Sequence, residues 1–426
     1  MKKLSIVFIV CLSVANLFAQ NASSPYSVIG IGDIEKSNFD RTSGLGHAGV
    51  ALQSDRYFFV GNPASFSFLQ NPSFSNPFYF DLSVRYKNVN FSGTPINSTT
   101  TNQSNDLQFK RISFAIKPKA KWGLSFGLLP YSTANYSFNS VIDVQGDNNN
   151  KIPINFEGSG STNLVYLSNS FLLAKGLSIG VQSALLFGQL NDKKIMYSAI
   201  TDSVLSKETN VYLTTPHFKG GIIYKATINK NWSGSIGATG SLKTSINANY
   251  KETVKDGNTT LKTVDEKRIG YSTLPMIGTI GIAATYKNTY TFVFDFNGQN
   301  WSSVKYGGIN YALVNSSRIS AGFQYVNNVT IREKNISVTY EKSFYQAGFY
   351  YNKSYLNVKG EPIKEWGVTL GAGTQLNRSG LGIQGNIEIG GKGTTSSNLI
   401  KENITQIGVT ISYRDFWYTK KIKKYN

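Results

Sequence analysis

The chain has 426 residues, with 43 Lys and Arg against 24 Asp and Glu, a formal net charge of +19, and one Cys. That length admits two or three soluble domains or one large barrel. The single cysteine, Cys11, lies in the first twenty residues, so a chain trimmed there can form no disulfide, thiolate metal site or Cys nucleophile.

Residues 1–20, MKKLSIVFIVCLSVANLFAQ, combine a positive start with a short apolar core. They read as a secretory signal, too short and wrongly flanked for a spanning helix. An exported chain rarely meets nucleic acid. Its basic balance fits anionic outer-membrane lipid and lipopolysaccharide better. Gly44, Gly46 and Gly49 make a G-x-G-x-x-G string. A dinucleotide loop needs a buried strand before it, a helix after it and an acid about 20 residues on. Ser37–Thr42 is no buried strand, Ser65–Asn71 holds no acid, and Gly61-Asn62-Pro63-Ala64 breaks any helix. The string is therefore no cofactor site.

From about residue 78 period-two alternation takes over, as expected of strands. Trp122, Leu124, Phe126 and Leu128 alternate with small or polar residues, as do Leu177, Ile179 and Val181. Phe292, Phe294 and Phe296 oppose Val293 and Asp295. Ile319, Ala321, Phe323 and Tyr325 alternate with Arg318, Ser320, Gly322 and Gln324. Leu381, Ile383, Ile387 and Ile389 oppose Gly382, Gln384, Asn386 and Glu388. Roughly fourteen such segments recur, many near the ~10 residues a tilted membrane strand needs.

Thr94–Asp106 reads as a long polar external loop, Gly146–Asn150 and Lys255–Asn258 as turns, and 187–215 and 250–268 as strand extensions or long loops. Gly123–Gly127 and Gly176–Gly180 match G-x-S-x-G, but that motif needs a strand–turn–helix bend with serine at its apex, and both lie inside alternating strands. His47 and His217 have no metal-ligand neighbours, and no P-loop or HExxH occurs. No catalytic, cofactor or metal residue is assigned, and the chain reads as a non-enzyme.

Sustained alternation without helical stripes fits an all-β, transmembrane antiparallel barrel, because in lipid every backbone group must pair and one face must meet hydrocarbon. A soluble secreted β-rich binding protein is the rival. Trp301, Tyr306, Trp417 and Tyr418 are candidates for the aromatic interface girdle.

The order of motifs is more specific than any one of them. Ser24–Asp33, then Arg41-Thr-Ser-Gly-Leu-Gly-His-Ala-Gly-Val-Ala51, then Gly61-Asn-Pro-Ala-Ser65 resembles the N-terminal hatch of the FadL/TodX-type family of outer-membrane transporters. Leu274-Pro275, Phe292–Asn297 with its Asp295, Trp301-Ser302, Glu388–Thr394 and Asp415–Lys420 continue the likeness and look like a Bacteroidetes branch of that family.

The resemblance implies a signal over 1–20, a hatch over 21–77, a barrel of about fourteen strands over 78–419 and a basic tail over 420–426. It places Gly44, Gly46, Ala48, Gly49, Ala51, Asn62, Pro63 and Ala64 in the hatch. Phe58, Phe59, Phe66 and Phe68 are candidates for an apolar ligand pocket, or for the packing of the hatch itself. The expected function is passive uptake of small hydrophobic molecules. The alternative is a barrel of the PorV kind, a partner subunit of a secretion or outer-membrane assembly system.

Overall fold

The computed structural model describes residues 24–70, 76–93, 102–144, 147–198, 203–304, 312–333, 336–376 and 380–417. The signal-like residues 1–20, Tyr306, Tyr418 and the tail 420–426 lie outside them.

Fourteen strands build the wall. They are β1 (Asn76–Gly93), β2 (Gln103–Lys119), β3 (Trp122–Thr133 and Tyr136–Val144), β4 (Asp147–Ala174), β5 (Leu177–Ser198), β6 (Ser203–Thr227) and β7 (Trp232–Ser241 and Thr244–Asp256). Then come β8 (Thr259–Leu274 and Ile277–Tyr286), β9 (Tyr290–Gln299), β10 (Ser316–Glu333), β11 (Ile336–Val358), β12 (Glu361–Leu376), β13 (Leu381–Gly393) and β14 (Ile400–Trp417). Each pairs antiparallel with the next, and β14 returns to β1 from Ile400↔Gly93 to Trp417↔Asn76. Closure leaves no edge strand at this seam, which membrane burial demands.

The period-two pattern sorts the faces. Phe292, Phe294 and Phe296 are exposed on the outside while Val293 and Asp295 are buried within. Ile383, Ile387 and Ile389 point out, and Glu388 points in. The outer apolar band replaces the core of a soluble protein, since hydrocarbon rather than water meets it.

The strands are unequal. β4, β5 and β6 run 28, 22 and 25 residues, against the roughly 9–11 that cross a bilayer. Residues 187–198, 203–215 and 250–256 therefore continue as strand beyond the membrane, as do 259–268. The expected loops shrink accordingly: Gln103–Asp106 already belongs to β2 and Asp147–Asn150 to β4, whereas Gly257 and Asn258 do turn. In such barrels the longer connections and extensions are extracellular. The turns at 120–121, 175–176, 228–231 and 287–289 lie at the end opposite the strand extensions and so mark the periplasmic end.

Residues 24–70 contribute no wall strand. They form short 3-10 turns and one two-residue strand, Asp33–Ile34, and they lie inside the lumen. Near the outer end Tyr26 and Ile29 pack with Trp301, Tyr355, Leu356, Ile363 and Leu399. Trp301 is thus not a girdle residue. It is fully buried, stacked at 4.2 Å on Tyr355, with its indole N–H donated to Gln299. The turn Trp301–Ser303 carries it inward, where an apolar cluster excludes water. A lipid-facing aromatic row stands instead at the periplasmic end, through Trp232, Tyr286, Tyr290 and Tyr325, with centroids 4.9, 6.5 and 5.5 Å apart. Trp417 closes the last strand.

Candidate functional site

The inner segment rests on wall glycines. A side chain at Gly348 of β11 would overlap the backbone at Gly46, and one at Gly237 of β7 would overlap Val50. Gly123 and Gly180 make the same close approach to Phe66 and Pro63. These are glycines of the two G-x-S-x-G matches, and the second serine serves the same contact: the Ser178 hydroxyl donates to the Ala64 carbonyl at 2.8 Å. The motif provides a seat for the inner backbone. Gly46 itself has φ 64° and caps the turn Arg41–Leu45, a left-handed position that glycine occupies without strain.

All eight residues expected in the hatch are buried inside the barrel. Ala48 and Ala51 pack with Leu45 against Ala283 and Val293. Asn62 holds two pieces of the segment together. Its side-chain oxygen accepts from the Ala64 N–H at 3.0 Å, and its amide donates to the Val50 carbonyl at 2.7 Å. Pro63 opens the following turn, a position where its missing N–H costs nothing.

Charge then clamps the segment. The Arg41 guanidinium donates to both oxygens of Glu341 at 2.8 and 3.2 Å and lies between the Tyr57 and Phe344 rings. Asp295 accepts the Gly49 and Val50 N–H groups at 2.7 and 2.9 Å. The His47 imidazole pairs with Glu388 at 3.0 Å, and Tyr350 donates to the same carboxylate at 2.6 Å. Lys392 pairs with Asp33 at 2.8 Å, and Lys36 with Glu365. Breaking a buried pair strands its partner's charge at about 3–5 kcal/mol. Arg41→Ala should therefore lower the temperature at which the folded, heat-modifiable gel band disappears. An unchanged band would refute the clamp.

A cavity of about 220 Å³ remains between segment and wall, bordered by Glu35, Lys36, Lys219, Asp295, Arg318 and Lys392. Phe59 borders it too. Phe58 and Phe66 instead fill space, in one apolar cluster with Leu69 and Tyr79. Phe68 is half-buried. The four phenylalanines thus do not line a common apolar pocket among the described residues.

The wall is broken between β2 and β3. The β2–β3 ladder runs from Lys119↔Trp122 only to Ile112↔Leu128. Beyond it stand Pro130, which has no N–H to give, and a bulge that turns both Lys110 and Arg111 inward. A cleft of about 330 Å³ lies there between Phe109, Lys110, Pro130, Asn135 and Gly160. From inside, Asp33 and Ile34 pair with Thr133 and Ser132 of β3, and the Glu35 N–H donates to the Tyr131 carbonyl at 2.9 Å. The Glu35 carboxylate reaches the other side, pairing with Lys110 and with Arg85 of β1 at 3.4 Å. Residues 33–35 therefore bridge the break.

Burial alone would push the Glu35 carboxyl up. Lys110 and Arg85 more than reverse this and hold it at about 2. Its stabilising contribution is thus complete above the ordinary value of 4.5 and lost as pH falls from there to about 2. At ~1.4 kcal/mol per pH unit this is on the order of 3 kcal/mol. Amide exchange at residues 31–35 should accelerate, after correction for intrinsic rates, across that window. In Glu35→Gln this pH dependence should flatten, and a matching profile in the variant would discount the pair.

The fold and this filled lumen define a transmembrane β-barrel of the FadL type. The chain belongs to the BamG family, whose model matches residues 1–426. Among solved structures, a Pseudomonas aeruginosa FadL homologue aligns with TM-score 0.61 at 12% identity, over 89% of this chain and 98% of that one. The Pseudomonas putida toluene transporter TodX aligns at 0.59 and 14%, over 91% and 100%. The Ralstonia pickettii toluene transporter TbuX aligns at 0.54 and 13%, over 88% and 97%. Comparison with curated proteins finds no match.

Proposed function

We propose that this protein resides in the outer membrane as a closed barrel, with residues 24–70 as its hatch, and serves as a partner subunit of an outer-membrane assembly or secretion system. One observation carries this reading. The lumen is filled by a segment held through buried ion pairs, and the space left over is bordered by charges of both signs. Ligand pockets for apolar molecules are predominantly apolar, so a hydrophobic solute gains little there. The long strands β4–β6 add surface outside the bilayer for contact with other proteins. Purification in mild detergent from the native membrane tests it. A stoichiometric protein partner is expected. Recovery of the barrel alone, with an apolar small molecule extracted from it, would reverse the conclusion.

The break between β2 and β3 favours a second reading, passive uptake of small hydrophobic molecules that leave sideways into the bilayer. Its cleft opens beside lipid-facing Leu107 and Phe109, the latter 80% exposed. Purified protein in liposomes should then speed entry of a hydrophobic probe over empty vesicles. Equal rates across several ligand classes would remove this reading.

A further inference from the structure

The exposed charge is unevenly placed. Four consecutive periplasmic turns carry lysine and no carboxylate: Lys119 and Lys121 between β2 and β3, Lys175 between β4 and β5, Lys225 and Lys230 between β6 and β7, and Lys287 between β8 and β9. All six are exposed. At the opposite end the strand extensions carry carboxylates as well as lysines, and some pair, as in Lys193–Glu208, Lys194–Asp192 and Lys207–Glu252. The six have no such partner among the described residues.

Aromatic residues fix their level. Trp122, Tyr224, Trp232 and Tyr286 lie one or two positions from Lys121, Lys225, Lys230 and Lys287, and Trp and Tyr settle at the membrane–water boundary. The lysines follow on the water side. Pairing decides where two of them aim. A bulge follows Ile116, and Lys119 pairs with Trp122, whose neighbour Gly123 faces the lumen, so Lys119 lies on the outer face beside Trp122. Ile223 is buried on the inner face of β6, and Lys225 continues it towards the mouth of the lumen. The mouth beneath is firm, because the Lys117 ammonium donates to the Ser67 and Leu69 carbonyls at 2.6 Å each. Neighbouring turns stand about 10 Å apart, close to the ~8 Å screening length of physiological salt, so their fields add.

We propose that this lysine arc docks an acidic, Asp/Glu-rich segment of a periplasmic protein. The proposal rests on the partner-subunit reading and names the chemistry of one partner.

The test uses the whole chain in nanodiscs of zwitterionic lipid and a fluorescent oligo-glutamate peptide as probe. Wild type should bind the peptide, with affinity falling as salt rises. The fourfold variant Lys119→Glu, Lys121→Glu, Lys225→Glu, Lys230→Glu should bind at least about tenfold more weakly while keeping the heat-modifiable band of a folded barrel. Lys193→Glu with Lys194→Glu and Lys207→Glu, at the other end, should bind as wild type does. Equal binding by the fourfold variant overturns the proposal. So does a wild type that ignores the peptide but enriches phosphatidylglycerol from mixed lipid, which would make the arc a lipid site. The peptide decides the arc, and the native co-purification decides the subunit reading, so each can fail alone.

Discussion

Gly348→Leu should prevent the barrel from closing around its inner segment. Even a single added carbon at this position overlaps the Gly46 backbone, which cannot swing aside as a side-chain tip would. Gly46 is itself fixed, since its N–H donates to the Thr369 hydroxyl at 2.8 Å. Overpacking commonly costs about 1–3 kcal/mol, and backbone against backbone belongs at or above the top of that range. The expected result is loss of the folded gel band, or a folded barrel whose residues 24–70 have become sensitive to protease. Gly278→Leu supplies the control, because nothing lies within 4 Å of a carbon added there. A Gly348→Leu protein that melts and resists protease like wild type would show that the segment does not depend on this seat.

The wall was legible because lipid imposes a rule the sequence must obey. Phe292, Phe294 and Phe296 can only face hydrocarbon if Asp295 faces in, and Asp295 indeed holds two N–H groups of the inner segment. Glu388 between Ile387 and Ile389 carries the same message, and its partner His47 lies 341 positions away. A lone charge within a lipid-facing alternation must find an opposite number inside. The pattern therefore announces that a pair exists without saying with whom. Arg41 with Glu341, and Glu35 with Lys110, were invisible for that reason: pairing is set by closure of the whole barrel. Trp301 misled because an aromatic next to a strand end suits a membrane boundary, and only the inward fold of its turn removes it from the lipid. The glycines of G-x-S-x-G lie in strands, where the sequence alternation places them. Their use as a seat appears only when residues 63–66 are laid against β3 and β5.

Glu35→Gln should open the broken wall. The wild-type carboxylate joins the inner segment to β1 and β2 across the very gap that Asp33 and Ile34 close on the β3 side. Removing its charge leaves Lys110 and Arg85 facing each other with less compensation. Asp106 stays at 3.4 Å from Arg85 but makes no pair with Lys110. The loss belongs near the ~3–5 kcal/mol of a broken buried pair. Lys110→Met added to Glu35→Gln should recover part of the stability, because a neutral pair leaves no stranded charge. Stability and passage then separate. If residues 33–35 are the bar across the opening, both variants should admit a small hydrophobic probe into liposomes faster than wild type, although the double variant is the more stable of the two. If faster entry instead tracks instability and disappears in the double variant, the leak comes from general loosening and the break between β2 and β3 is not a guarded exit.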